Sequence, residues 1–273
     1  MLYYYIYYIY YMSKNWISKI YKNEKKIYSQ GKQDGIIEYI IKNIKIKNKY
    51  CIEFGYDSNT LYGGCGPNTT NLIINYNWDK LLLDGKYNNK DINLHTHFLT
   101  ENNICNIFKK YNVPLEPGYI SIDVDSIDLW LMNAVLQKYK PSFLSVEMNS
   151  NIPIDYAITF PKNDNKGWVG DKIYGASLKA LNIVAEKYNY QLVYAGNVTI
   201  SKNHDAFFVR NDLITNCDRR PTLQDFRFTY SQLHRKCIDD RYKIMLDYEE
   251  YIKTNDIARS QLKANNISKK YLC

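Results

Sequence analysis

Short apolar runs alternate along the chain with longer segments in which apolar residues recur at helical spacing. The short runs are typical of buried strands, and the longer segments are typical of amphipathic helices. Helices are predicted over residues 36–44, 68–77, 102–111, 129–139 and 175–188. Strands are predicted around Cys51, Leu82, Tyr119, Leu144 and Leu192, with a further short strand within residues 93–99. Strands that alternate with helices predict an α/β fold whose sheet is mainly parallel.

The end of this pattern differs from the rest. Apolar runs at residues 191–194 and 206–209 are separated by turn-forming residues without a helical run. Strands joined in this way pair in antiparallel fashion, because a parallel crossover needs a longer connection. The sequence therefore predicts a Rossmann-like sheet that is mostly parallel and closes with a C-terminal antiparallel β-hairpin.

Three regions are expected along the chain: a low-complexity Tyr/Lys-rich segment at 1–28, a Rossmann-like domain at 29–213, and a polar, helical extension at 214–273. In the extension, a weak packing face is predicted at Met245, Leu246, Tyr248 and Tyr251. The first twelve residues are uncharged, but a transmembrane helix needs about 20 apolar residues. They also lack the basic start and the cleavage site of a signal peptide. A tail is favoured over an interfacial anchor.

The net charge of +8 comes from scattered lysines without a long basic run. A solvated basic surface is favoured, with nucleic acid as the alternative partner. The six cysteines show no paired spacing and are expected to be reduced intracellular thiols. The excess of Tyr, Lys, Asn and Ile follows A/T-rich codons, as in large DNA viruses. Host cytoplasm and virion are therefore included in the expected intracellular location.

The most closely spaced candidate site residues follow the strand that is predicted near Tyr119. Asp123, Asp125 and Asp128 come directly after this strand and before the next helix. Ligands of open α/β sheets bind outside the carboxyl ends of the strands, so these acids are expected to face a site. We expect Asp125 and Asp128 to face the same cleft. The alternative is that one Asp caps the helix and the others are solvated.

Two earlier strand ends also carry acids. Glu53 precedes Gly55 at the end of the first strand, and Asp84 precedes Gly85 at the end of the second. A glycine turn permits close approach of the backbone to a ligand. An acid on the second strand can accept hydrogen bonds from ribose hydroxyls. The pair indicates a nucleoside-bearing ligand; the alternative for Asp84 is a simple turn.

A set of motifs in this order resembles the FkbM-like group of class I S-adenosylmethionine-dependent methyltransferases, which occur in bacteria and large viruses. The resemblance covers about residues 29–213, and its motifs are specific as an ordered set rather than singly. They are Ser29-Gln30-x-x-Gln33-Asp34-Gly35, Glu53-Phe54-Gly55, Asn59-Thr60, Leu83-Asp84-Gly85, Thr100-Glu101-Asn102-Asn103-Ile104, Ser121-Ile122-Asp123-Val124-Asp125, Val146-Glu147-Met148-Asn149, Tyr174-Gly175-Ala176-Ser177-Leu178 and Ala206-Phe207-Phe208-Val209-Arg210.

The resemblance implies a class I methyltransferase sheet and S-adenosylmethionine as cofactor. It implies that the cofactor is bound by Glu53, Gly55, Asp57, Asp84 and Asp123. It also places Asp125, Asp128 and Glu147 as catalytic candidates, with Glu147 and Asn149 facing the acceptor. The implied activity is O-methylation of a hydroxylated small molecule or glycan. A divalent cation held by the acidic cluster is compatible with this chemistry, since hard cations prefer oxygen ligands.

The chain departs from the family pattern at several positions. Ser58 stands where glycine is usual, Ser126 follows Asp125 where glycine is usual, and Asp205 stands where asparagine is usual. Ser58 is expected to disfavour a left-handed backbone. These departures support an alternative function, a catalytically degenerate domain that serves as a structural or interaction module. Two smaller alternatives are a metal site that includes His95 and His97 and a catalytic base at His204.

Overall fold

The computed structural model describes residues 15–62, 64, 66–162, 168–201, 203–233 and 238–273. The tail predicted for the first twelve residues lies outside this part. The strands are β1 (Tyr50–Phe54), β2 (Asp79–Asp84), β3 (Leu94–Thr96), β4 (Tyr119–Ile122), β5 (Phe143–Glu147), β6 (Ile158–Thr159), β7 (Tyr190–Ala195), β8 (Asp205–Arg210) and β9 (Leu246–Asp247). A seven-stranded sheet has the order β3-β2-β1-β4-β5-β8-β7, and β6 and β9 form a second sheet.

The directions of the strands confirm the predicted fold class. β1 pairs in parallel with both β2 and β4, β2 with β3, and β4 with β5. β8 runs antiparallel to its two neighbours, β5 and β7. The molecule is therefore an α/β protein with a Rossmann-like, mostly parallel sheet that closes with an antiparallel pair.

The described residues form eight α-helices. The five that the hydrophobic periodicity predicts are present, with ends that differ by a few residues, two lie in the predicted helical extension, and one, at Val198–Ser201, lies in a connection for which no helical run was predicted. The helices are α1 (Gln33–Asn43), α2 (Thr70–Tyr76), α3 (Ile104–Lys110), α4 (Asp128–Leu136), α5 (Leu178–Lys187), α6 (Val198–Ser201), α7 (Tyr248–Thr254) and α8 (Ile257–Leu272). Short 3-10 helices span Ile17–Asn23, Lys90–Ile92, Asn211–Leu213, Leu223–Thr229 and Arg241–Ile244.

Both faces of the large sheet are buried. In β1, Ile52 and Phe54 belong to one core cluster with Phe108 of α3, whereas Cys51 belongs to another with Leu72 of α2. Successive side chains of a strand point to opposite faces, so a strand covered on both sides is apolar at most positions. This is why the strands appear in the sequence as short continuous apolar runs.

The folded part begins before the predicted boundary at residue 29. Trp16, Ile17 and Ile20 are buried, and they pack in the same cluster as α1. The hydroxyl of Tyr21 donates a hydrogen bond to the Ala195 carbonyl oxygen at 3.1 Å. Residues 15–28, which belong to the predicted Tyr/Lys-rich segment, therefore pack against the domain. These few apolar residues cover the sheet next to β7. They form no clear pattern in the sequence because lysines surround them.

The C-terminal region packs against the same body. β9 pairs antiparallel with β6, which lies in a segment where no strand was predicted. Leu246 and Tyr248 are buried as predicted, and Tyr248 and Tyr251 form edge-to-face contacts with Trp130. The two-residue length of β6 explains why the sequence gives no strand signal there.

The thiols differ from expectation at one position. Cys51, Cys105 and Cys217 are free, and Cys51 is buried inside β1. Cys273 is disulfide-bonded, so the expectation of reduced thiols throughout is wrong for this residue. Among the described residues, no helix is both long and apolar enough to span a bilayer.

Candidate functional site

The candidate site is a cleft at the point where the strand order of the sheet reverses. The chain runs from β1 outward to β2 and β3, and then returns to β4 on the other side of β1. Ligands of open α/β sheets bind at such a switch point, outside the carboxyl ends of the strands. The cleft is lined by Gln30, Gln33, Glu53, Gly55, Tyr56, Gly66, Pro67, Asn68, Asp123, His204 and Asp205.

Glu53 connects the end of β1 to the start of α2. Its carboxylate accepts hydrogen bonds from the backbone N–H groups of Asn68 at 2.7 Å and Thr69 at 3.0 Å, and from the Thr69 hydroxyl. Burial raises the pKa of Glu53 to about 7, and these three donors oppose the rise. Glu53 therefore lines the cleft and also fixes the loop that enters α2.

Gly55 lies where the ends of β1, β2 and β4 meet. Its φ is +72°, a left-handed conformation that favours glycine. A Cβ at this position would lie 2.0 Å from the carbonyl oxygen of Asp123, and the Gly55 N–H donates to the Leu83 oxygen at 2.9 Å. The missing side chain therefore allows the end of β1 to contact the end of β4. The close approach of the backbone to a ligand, which the sequence predicts at this glycine, stays a prediction.

Asp57 and Asp84 lie beside the cleft rather than in its lining. The Asp84 carboxylate accepts the N–H groups of Asp57 at 2.9 Å, Lys86 at 2.7 Å and Tyr87 at 2.9 Å. A carboxylate offers about four acceptor positions, so about one remains for a ribose hydroxyl. The turn that was the alternative interpretation of Asp84 is present. Its role toward a ribose stays a prediction.

The backbone strain expected at Ser58 is located one residue earlier. Asp57 has φ +52°, whereas Ser58 is not among the described residues with positive φ. Ser58 is buried, and its hydroxyl donates to the Thr60 oxygen at 3.0 Å. The left-handed backbone that Ser58 was expected to disfavour is therefore adopted by Asp57, a residue type that tolerates this region.

The three acids after β4 have different environments. Asp123 is half-buried and lines the cleft, and Asp125 is half-buried with φ +57°. Asp128 is fully buried, and its carboxylate accepts the N–H groups of Val124 at 2.7 Å and Ser126 at 2.9 Å. The expectation that Asp125 and Asp128 face the same cleft is wrong for Asp128. Its side chain turns back over the loop that precedes α4.

Glu147, at the end of β5, completes an acidic cluster with Asp123 and Asp125. One ligand oxygen from each of the three lies within 4.8 Å of the others. Burial and the charges of the neighbouring Asp residues raise the pKa of Asp123 and Glu147 well above their ordinary values. The Asn149 amide donates to the carbonyl oxygens of Lys172 and Tyr174, both at 2.9 Å, so it does not face an acceptor as expected.

Sequence reasoning missed a buried hydrogen-bond network around Asp205, which pairs with Glu147 in the sheet. One carboxylate oxygen of Asp205 accepts the side-chain amides of Gln33 at 3.0 Å and Asn68 at 3.1 Å. Burial raises the pKa of Asp205, and the two amides oppose the rise. The Asn68 amide also donates to the Ser121 hydroxyl at 3.1 Å, while its Oδ1 is buried without a hydrogen-bond partner. Two signals were available in the sequence: Asp205 stands where asparagine is usual, and Gln33 belongs to the first motif of the resemblance.

The three histidines that were alternative site residues lie in different environments. His95 stacks on Tyr111 with ring centroids 4.1 Å apart, and His97 Nε2 lies 2.9 Å from the Tyr111 hydroxyl. Among the described residues, the group that could hold a metal contains three carboxylates and neither of these histidines. His204 does line the cleft. Its assignment as a base stays a prediction.

The buried acids predict how stability depends on pH. Glu53 and Asp128 each have a pKa of about 7, well above the value of about 4 for exposed carboxyls. Their contribution to the free energy of unfolding is complete below about pH 4 and is lost as the pH rises through about 7. We expect the free energy of unfolding to fall between pH 5 and 8, by about 2–3 kcal/mol for each group.

Denaturant unfolding at several pH values in EDTA measures this dependence. Glu53→Gln removes one titrating group and should flatten the curve, whatever its effect on absolute stability. Asp79→Asn is the control, because Asp79 is exposed at the other end of β2. An unfolding free energy that is constant or rises from pH 5 to 8 would contradict the prediction, as would equal slopes for Glu53→Gln and the wild type.

Comparison with known proteins adds no family to this geometry. No protein-family model matches the chain, and no curated protein matches it either.

Proposed function

We propose that the protein is an S-adenosylmethionine-dependent methyltransferase that methylates a hydroxyl group of a small molecule or glycan. One observation carries the proposal: Glu53, Gly55 and Asp123, three of the cofactor residues that the resemblance implies, line one cleft at the switch point of the sheet. These residues are far apart in the sequence, and the cleft is where this type of sheet binds ligands.

The chemistry of the cleft fits the cofactor. S-adenosylmethionine carries a cationic sulfonium, which makes its methyl group electrophilic, and a cationic amino group. Glu53, Asp123 and Asp205 supply carboxylates around the cleft. Asn68 Oδ1 is a buried acceptor without a partner, and leaving such an atom unsatisfied costs about 1–3 kcal/mol. An ammonium donor would satisfy it. Gly55 leaves the β1 turn without a side chain at this point.

The acidic cluster supplies the groups that methyl transfer to a hydroxyl requires. The hydroxyl oxygen must lose a proton as it bonds to the methyl carbon, while the electrons of the broken carbon–sulfur bond remain on sulfur. A carboxylate in hydrogen-bond reach of the hydroxyl can accept the proton. Asp125 is our candidate for this role, and Glu147 faces the same cluster. Asp128 holds the loop that carries Asp125 through its bonds to Val124 and Ser126.

A second function, a methyltransferase-like module without catalysis, is favoured by the size of the cleft. Its volume is about 50 Å³, whereas pockets for small molecules are typically about 300–1,000 Å³. The Gln30 N–H donates to the Gly66 oxygen at 2.8 Å, which joins two segments of the lining. Under the leading proposal, these segments must separate when the cofactor binds. Under the second proposal, they stay closed.

Calorimetry with S-adenosylhomocysteine distinguishes the two functions. We expect the wild type to bind, and Asp84→Ala to weaken binding by about 1–3 kcal/mol because a ribose hydroxyl loses its acceptor. Asp79→Ala, at the exposed end of the same strand, should bind like the wild type. Unchanged binding by Asp84→Ala would refute the ribose role. Binding by none of the three proteins would favour the module.

A further inference from the structure

We propose that Asp123, Asp125 and Glu147 bind a hard divalent cation at the ends of β4 and β5, beside the switch-point cleft. The site brings together two chain segments, because Ile122 pairs with Val146 immediately before the acids. Cation binding is independent of the methyltransferase proposal. The use of the cation to hold the acceptor hydroxyl rests on that proposal.

The geometry fits a cation without rearrangement. One oxygen from each residue lies within 4.8 Å of the other two. Two ligand oxygens on opposite sides of Ca²⁺ are about 4.6–5.2 Å apart, and those of Mg²⁺ about 4.0–4.2 Å. The cluster oxygens are therefore close enough together to bind an ion of the size of Ca²⁺. Oxygen ligands of this kind suit Mg²⁺, Ca²⁺ and Mn²⁺ rather than softer metals.

A separate observation also indicates a ligand. Glu147 Oε2 has no solvent-accessible surface and no hydrogen-bond partner. Neither Asp123 nor Glu147 forms a salt bridge with any residue that the structure describes. A buried carboxylate oxygen is stable only when it is paired, protonated or bound to a metal. A cation between the three acids would satisfy Oε2 and remove their mutual repulsion.

Hydrogen bonds of neighbouring residues help to hold the cluster in place. The Asp128 carboxylate fixes the N–H groups of Val124 and Ser126, on either side of Asp125. The Met148 N–H donates to the His204 oxygen at 2.8 Å and fixes the chain directly after Glu147. Three protein ligands leave open positions on a cation with six or more ligands, and an acceptor hydroxyl can occupy one of them.

Titration of the full chain with Mn²⁺, followed by electron paramagnetic resonance of the free ion, tests the site. We expect saturable binding of one ion to the wild type, displaced by Ca²⁺ or Mg²⁺. Asp123→Asn and Glu147→Gln should each weaken binding about tenfold or more, because each replaces a ligand oxygen with a neutral amide. Asp91→Asn, an exposed acid outside the cluster, should bind like the wild type.

Thermal unfolding in EDTA provides the second measurement. Both cluster variants should melt at or above the wild-type temperature without a cation, since each removes a repelling charge, and both should lose the rise that Mn²⁺ produces in the wild type. Weak, non-saturable Mn²⁺ binding by the wild type would overturn the proposal, as would equal affinity in all four proteins. Weak, non-saturable Mn²⁺ binding by a wild type that binds S-adenosylhomocysteine would overturn the cation site and leave the methyltransferase proposal intact.

Discussion

Asp125→Asn is expected to lower methyl transfer by about 100-fold or more while leaving the fold intact. Positioned general bases contribute about 10²–10⁴-fold to rate, and the amide cannot accept the hydroxyl proton. Asparagine has the shape of aspartate and also tolerates a left-handed backbone, which Asp125 adopts at φ +57°. The substitution therefore changes the charge with little effect on the loop. Transfer of labelled methyl from S-adenosylmethionine to a pool of hydroxylated acceptors measures the rate.

Asp239→Asn is the matched control for this experiment. Asp239 also has positive φ, at +46°, and it is exposed outside the cleft. We expect it to keep the wild-type rate. Melting curves for both variants separate loss of catalysis from loss of structure. Full activity of Asp125→Asn would remove Asp125 from the mechanism, and an equal loss in Asp239→Asn would show that the effect is not specific to the cluster.

Gly55→Ala is expected to destabilise the protein by about 2–6 kcal/mol. A non-glycine residue in a disfavoured backbone region costs about 1–3 kcal/mol, and overpacking a tight contact costs about as much again. The added Cβ would lie 2.0 Å from the Asp123 carbonyl oxygen, which is backbone and cannot rotate away. Relief of the clash must move the end of β1 away from the end of β4. The cleft acids should therefore lose their arrangement.

Gly85→Ala provides the same substitution at a permissive position. No atom lies within 4 Å of a Cβ at Gly85, and its φ is not positive. We expect an effect between neutral and a stabilisation of about 1 kcal/mol. Urea unfolding of both variants gives the comparison. If Gly55→Ala is as stable as Gly85→Ala, the contact between β1 and β4 relaxes easily and the turn does not need glycine.

Much of the fold could be predicted because its signals are local. Strands such as β1 and β4 are buried on both faces, so each appears as an apolar run wherever it lies in the sequence. The pairing of β6 with β9 could not be predicted, since two-residue strands carry almost no pattern and their partner is far along the chain. The burial of Trp16 and Ile17 could not be predicted either, because the neighbouring lysines obscure the apolar pattern.

The sequence predicted which strand ends carry the candidate site, but it did not predict which side chains enter the cleft. Asp123 and Asp128 are chemically identical in the sequence, yet one lines the cleft and the other is buried under its own loop. The difference arises because α4 begins at Asp128 and directs its carboxylate toward the N–H groups of Val124 and Ser126. Side-chain direction at a helix start depends on the exact end of the preceding turn, which a sequence pattern does not fix.

The sequence by itself determined the strand and helix order, the acids at strand ends and the glycine at the β1 turn, because periodicity and turn chemistry act over a few residues. Only the tertiary structure decided which acids meet. Gln33 and Asp205 are 172 residues apart and hydrogen-bond across the cleft. Asp123 and Glu147 come together through the pairing of β4 with β5. Such contacts depend on how the strands are ordered in the sheet, and that order is set by the packing of the whole chain.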